Sequence, residues 1–210
     1  MVTSNGIAAI EMETLARPPA ALVVPEINVQ QVEFELVGDS PLITHKWSEK
    51  AKGMMRDKQQ KKATQAKEAK NPEQEFRDAA YVIGEREGAP VYGFPSVGFK
   101  AAMVSACRFA DMRMTNARGA FHVVGEFIEI ISTPPTMRED MVRVGMGVAD
   151  IRYRPQFDPW AAKVRIAFNA AAISPEQIAN LLDIAGFGVG VGEWRPEKDG
   201  SFGRFHVSRG

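Results

Sequence analysis

The residues best equipped for chemistry in this sequence gather near its C-terminal end. Between Gly186 and Phe205 stand Gly186, Gly188, Gly190, Gly192, Gly200 and Gly203, interleaved with Trp194, Arg195, Lys198, Phe202 and Arg204. Glycine lacks a Cβ, so glycines spaced two apart give backbone that can turn through positive φ and come close to another chain or a ligand. Arginine and lysine meet phosphates and aromatic rings stack on bases, so the ligand this mixture suits is polyanionic and stackable.

Cations elsewhere extend the same theme. Residues 46–70 hold nine positive and three negative side chains. Lys46, Trp47, Lys50, Lys52, Arg56, Lys58, Lys61 and Lys62 head this run, which is rich in good helix formers and has little apolar stripe beyond Met54 and Met55. Such a helix is either a solvated arm or an element that faces phosphates. Lys100 and Arg108 lie eight apart in an otherwise apolar helical stretch and fall on one face if the helix is regular. Arg138 and Arg143 follow, then Arg152 with Arg154 and Lys163 with Arg165. Each of the last two pairs shares one face of a strand, because side chains alternate with period two. A binding trough requires the lysine arm, these two rows and the closing turn to lie on a single side of the subunit.

The bulk numbers bound this reading. The chain has 210 residues, 45% of them apolar, with 26 basic and 26 acidic side chains. A core of useful size is within reach, but there is no global basic field, so nucleic-acid affinity must come from local clustering. Cys107, the single cysteine, sits among small apolar residues and reads as packing, with no internal disulfide. His45, His122 and His206 form no Cys/His cluster, so no metal and no cofactor are expected. Gly192 is followed by Glu193-Trp194, which rules out a phosphate-cradling GxxxxGK[ST] loop, and the GxG spacing follows a helix where a dinucleotide site needs a strand. One catalytic alternative is an RNA endonuclease with His45 as general base and Lys46 steadying the phosphate. No apolar run reaches membrane-spanning length and no signal-peptide pattern opens the chain, so a cytoplasmic protein is expected.

These residues need elements to hold them. Residues 1–26 lack periodicity and read as an N-terminal arm. Gln31–Val37 alternates strictly, with Val32, Phe34 and Leu36 on one strand face. Gly38–Pro41 is a turn. A helix is expected from Ser48, stopped by Asn71-Pro72, with a short helical return over Glu73–Asp78. A hairpin is expected around Gly84–Gly88, then a helix over Val97–Ala110 with Ser96 as N-cap. Strands follow near Phe121, Glu126–Ile131, Ala149–Pro155 and Ala162–Phe168. The last helix is the best marked, with Ser174 as N-cap, Pro175 at its first position, Gln177 completing a capping box, and Ile178, Leu181, Leu182 and Ala185 as its buried stripe. Gly186 is expected to close it, and Phe202–Val207 to form the final strand. The order suits an α+β fold: a ferredoxin-like or RRM-like antiparallel sheet with helices on one face. Residues 27–210 would be a single domain, with a basic helical insertion near 48–78 and a thumb-like hairpin insertion near 132–160.

The glycine tail, with Ser201-Phe-Gly-Arg204 its nearest piece, and the helix opening Gly93-Phe-Pro-Ser-Val-Gly-Phe-Lys-Ala-Ala102 resemble the RAMP superfamily, the ferredoxin-like RNA-binding subunits of CRISPR effector complexes. In outline the chain also looks like a small phage-encoded relative. The resemblance implies single-stranded RNA or DNA as partner and homo-oligomeric, head-to-tail assembly along the strand, without catalysis. A structural or inhibitory protein acting through protein–protein assembly is the remaining alternative.

Overall fold

The alternation of Val32, Phe34 and Leu36 against Gln31, Glu33 and Glu35 builds the strand on which the fold is organised. The structure, a computed structural model, describes residues 24, 26–62, 69–144 and 147–209. The arm expected at 1–26 falls almost wholly outside these residues, as does Lys67. Strand β1 (Val29–Gly38) pairs antiparallel with β9 (Trp160–Asn169) on one side and with β10 (Phe205–Val207) on the other. Beyond β9 come β6 (Phe127–Ser132) and the short β5 (Phe121–Val123), both paired to β9. A hairpin of β3 (Val82–Arg86) and β4 (Ala89–Pro95) continues the sheet from β6 outward. The order is β10-β1-β9-β6-β4-β3.

Helix α3 (Ser96–Ala106) lies between β1 and β6 in sequence, and α5 (Pro175–Gly188) between β9 and β10. Reduced to β1-α3-β6-β9-α5-β10, this is the ferredoxin-like βαββαβ unit with spatial strand order 4-1-3-2. The helices share one face of the sheet, where Met103, Ala106, Ile178, Leu182 and Ala185 bury against Leu36, Ile128, Val164 and Ile166. The fold class read from the sequence is the observed one.

Both inserted pieces have definite structure. Residues between β1 and α3 form β2 (Leu42–Ile43), α1 (Glu49–Gln59) and α2 (Pro72–Asp78) ahead of the β3–β4 hairpin. Between β6 and β9, strands β7 (Thr136–Val144) and β8 (Val148–Phe157) pair as a long hairpin, the thumb. Strand β2 locks the thumb's base to the core, pairing Leu42 with Phe157 and Ile43 with Gln156, all three apolar side chains fully buried.

Several boundaries differ from expectation. Asn71 starts a helix where a stop was expected: its side chain accepts from the Gln74 N–H and caps α2. Ser96 is the first residue of α3, not its cap; its hydroxyl donates to the Gly125 carbonyl, so α3 has no side-chain cap. A further helix, α4 (Met114–Ala120), has no clear apolar period in the sequence. Gly186 does not end α5, which runs to Gly188. It is there because a Cβ would collide with the Phe205 carbonyl, so only glycine lets α5 lie this close to β10. The final strand is three residues long, because Phe202–Arg204 belongs to the loop before it.

Candidate functional site

The loop from Val189 to Arg204 folds back onto the base of the thumb. Its turns need left-handed backbone, which Gly190, Gly192 and Gly203 supply at φ +70°, +79° and +65°. The Glu193 N–H donates to the Ile43 carbonyl, and the Gly203 N–H to the Pro41 carbonyl, so the loop is tied to both ends of the β2 segment. Trp194 is itself left-handed at φ +53° and 39% exposed. A bulky residue in that region is uncommon and costs on the order of 1 kcal/mol. It is held there because its carbonyl accepts from the Phe202 N–H and lies against Gly200, where any side chain would collide with it.

Around this loop stands a charged cluster that spans four elements. On the inner face of the thumb, Arg138 and Arg154 flank Asp140. Arg138 Nε donates to Asp140 Oδ1 at 2.8 Å, and Arg154 donates to Oδ2 at 3.3 Å. Asp140 and Arg154 are 6% and 5% exposed. The Arg138 guanidinium also covers the Phe202 ring, 4.7 Å from its centroid. The other Arg154 amino group lies 3.4 Å from His45 Nδ1 and 3.6 Å from Glu193. Arginine cannot accept, so His45 Nδ1 is the acceptor and the ring carries its proton on Nε2. Burial and then the Arg154 charge hold the His45 pKa below its usual range, against an opposing pull from Glu193. His45 is therefore neutral at pH 7, with its free lone pair already used. This corrects its assignment as a general base: the nitrogen left to a substrate is a donor.

A cavity of about 210 Å³ opens beside the cluster, between the loop and α3. His45, Tyr81 and Glu193 line its polar side, and Phe94, Ala102, Val189 and Val191 its apolar side. Burial, then the Glu193 carboxylate, push the Tyr81 phenol up, and the Lys52 charge pulls it the other way. Burial alone would raise Glu197. The hydrogen bonds it takes from Ser105 and Arg195, with the charges of Arg195 and Arg108, outweigh that and keep its carboxyl below the usual range.

The cations do not assemble into one trough. Lys52 and Arg56 pair with Glu49, and Lys62 with Asp57. Lys70 pairs with Asp150, Arg152 with Glu75 and Asp150, and Arg108 and Arg195 with Glu197. Arg154 is too buried to reach a phosphate. Lys163 and Arg165 point out of the open sheet face, opposite Glu35 and Glu33 on β1, so that row alternates in sign across the strand pair although no ion pair closes there. That face presents no aromatic on either central strand, so the stacking platform of an RRM is missing from it. Lys100 is remote from Arg108: it donates to the Arg118 carbonyl and meets His122, at the α4–β5 end, because the helix ends before a second face-mate can form. Of the cations singled out in the sequence, Lys58, Lys61, Lys100, Arg143, Lys163, Arg165, Lys198 and Arg204 have no carboxylate within 4 Å among the described residues. Lys46 and Trp47 precede α1, with Trp47 58% exposed, and Lys50 lies within that helix. Trp160 is buried and donates to the Ser40 carbonyl, so it stacks on nothing outside.

Asp140, Glu193 and Tyr81 were not singled out by sequence. They come from three distant segments, and no spacing signals that they meet. Among the described residues no group of His, Cys, Asp and Glu could hold a metal ion. No helix among them is long and apolar enough to cross a membrane.

No family model matches the chain, and no curated protein does. Among solved structures, the crystal structure of Cmr6 from Pyrococcus furiosus is similar in outline. It has a TM-score of 0.45 and 9% identity, and the match covers 86% of this chain and 98% of that one.

Proposed function

We propose that the chain is a non-catalytic binder of single-stranded nucleic acid, and that the strand lies over the glycine-rich loop and the base of the thumb. One observation carries the reading: the exposed Trp194 indole, held in a strained left-handed conformation beside the Arg138–Phe202 stack and the unpaired Arg204. Arg204 has its Nε buried without a partner and no carboxylate within reach among the described residues. Strain kept at an exposed aromatic is a mark of a working surface, because stability alone would select glycine or asparagine there. Aromatic and arginine planes offer stacking on any base, worth about 1–3 kcal/mol each, and the unpaired cations meet phosphates. Because the cations around the loop and thumb base are mostly paired with carboxylates, about three to five phosphate contacts are expected there, so the log–log salt slope should be shallow, roughly −2 to −4.

The test is fluorescence anisotropy of labelled oligo(U) and oligo(dT) over a salt series. Trp194→Ala and Arg204→Ala should each weaken binding about tenfold. Absence of any anisotropy change at low salt with micromolar protein refutes the proposal, and the two oligonucleotides together decide between RNA and DNA.

A separate observation supports self-assembly of the subunit. Phe109 and Phe187 are 60% and 76% exposed and adjacent, with Gly188 against the Phe109 ring. An open groove of about 910 Å³, lined by Met112, Ile173, Leu181 and Ile184 together with Asp111, Arg113, Asn116, Gln177 and Asn180, begins at Ala110, the residue after Phe109. An exposed apolar patch of this kind suits contact with another subunit. Light scattering of the chain and of Phe187→Ser, with and without strand, tests it; a monomer under all conditions removes it.

A further inference from the structure

We propose that the 210 Å³ cavity between the glycine loop and α3 is a pocket for a single guanine base, read on its Watson–Crick edge. The inference rests on the strand-binding reading above and adds a preference to it. The cavity lies below the roughly 300–1,000 Å³ of sites that hold drug-sized molecules. It has room for one planar ring system, not for a length of strand. Its floor is apolar, from Phe94, Ala102, Val189 and Val191, as the faces of a base require.

Arg195 and Glu197 also line its polar side but are paired with each other, which leaves three groups there without a hydrogen-bond partner: the Glu193 carboxylate, the His45 Nε2–H and the Tyr81 hydroxyl. The Glu193 carboxylate lies 3.6 Å from the Arg154 guanidinium and 3.9 Å from Nδ1 of the neutral His45 ring, too far for a hydrogen bond. Glu193 and His45 keep 41% and 27% of their side chains exposed, so the pocket is open to an entering base. His45 presents Nε2–H, because Arg154 occupies Nδ1. Tyr81 keeps its phenolic proton at neutral pH, since burial and Glu193 raise it.

A carboxylate and an imidazole N–H on one wall of the pocket suit a ligand edge with two adjacent donors and then an acceptor. Guanine has that edge: N2–H and N1–H to the carboxylate, O6 to the imidazole N–H. Adenine places its N1 lone pair against the carboxylate, cytosine does the same with N3, and uracil offers one donor between two acceptors. Mismatched bases forgo these hydrogen bonds and set a lone pair against the carboxylate, which is how such sites reject ligands. Flipped or unstacked bases are read on this edge in other single-strand binders.

The experiment compares anisotropy of labelled oligo(U) with the same strand carrying one central guanine, inosine or adenine. Guanine should bind about tenfold tighter than uracil or adenine, and inosine, which lacks the N2 amine, should lose most of that gain. Glu193→Gln should reduce the guanine-to-uracil affinity ratio towards one. Ala101→Leu, which fills the pocket from the exposed surface of α3, should do the same without touching a charge. Equal affinity for all four strands, or a guanine preference that survives both substitutions, overturns the pocket and leaves strand binding standing. No binding of any strand overturns both.

Discussion

Replacing Gly186 by alanine reverses the sign that helix propensity predicts. Glycine within a helix costs about 0.5–1 kcal/mol relative to alanine, so the change should stabilise an ordinary helix. Here a Cβ would lie 2.6 Å from the Phe205 carbonyl carbon and 2.8 Å from the Phe205 ring, and closer still to the carbonyl oxygen. Comfortable carbon contacts are about 3.5–4.0 Å, so α5 and β10 must separate by ~1 Å. The obstacle is backbone, and β10 is fixed by its pairing with Leu36, Val37 and Gly38 of β1. Overpacking against an unyielding neighbour costs typically 1–3 kcal/mol and sometimes more, which exceeds the propensity gain. We expect a net loss of about 2 kcal/mol, or roughly 4–8 °C in Tm for a chain of this size. Gly119→Ala in α4 is the control: nothing lies within 4 Å of a Cβ there, so it should gain a few tenths to about 0.5 kcal/mol. Urea unfolding followed by circular dichroism and by the fluorescence of buried Trp160, whose ring contacts Phe205, measures both. If Gly186→Ala stabilises the protein as Gly119→Ala does, the close approach of α5 to β10 is wrong.

Three further outcomes are expected. Asp140→Ala strands the buried Arg154 guanidinium and should cost about 3–5 kcal/mol in urea unfolding, whereas the double change with Arg154→Met should recover most of it; equal losses for single and double variants would refute the pairing. Burial, then the Arg154 charge, make His45 bind its proton less readily in the folded chain than in the unfolded one, whose ordinary value is 6.5, so below pH 6.5 the unfolded chain takes up more protons. Stability should then fall as pH drops below 6.5, and His45→Gln should flatten that part of the profile, as unfolding at a series of pH values will show. Trp194→Asn should leave stability within about 0.5 kcal/mol, since asparagine tolerates left-handed backbone, while weakening strand binding; a large loss of stability would make Trp194 a packing residue.

Local chemistry was enough to determine the elements. The alternation of β1, the capping box of Ser174 and Gln177, and the i, i+3, i+4, i+7 stripe of α5 are each written in consecutive residues, and all three appear as read. The ferredoxin-like order follows from those elements, because only a few arrangements bury one face of a sheet under two helices. The helix α4 escaped because its buried residues, Ala117 and Ala120, are small and leave no apolar period. The charges were a different matter. A cation's type is legible in the sequence, but whether it is free depends on which carboxylate the fold brings opposite it. Glu33 and Glu35 stand opposite Arg165 and Lys163 only through the β1–β9 register, and Asp140 pairs with Arg154 only through the thumb hairpin. Likewise Gly186 reads locally as a helix end, and only its distance to Phe205 shows that it is a packing glycine. Periodicity is a short-range property and fixes where side chains point along one element. Ion pairing, tautomer and cavity are set by contacts between residues far apart in sequence, and these exist only in the folded chain.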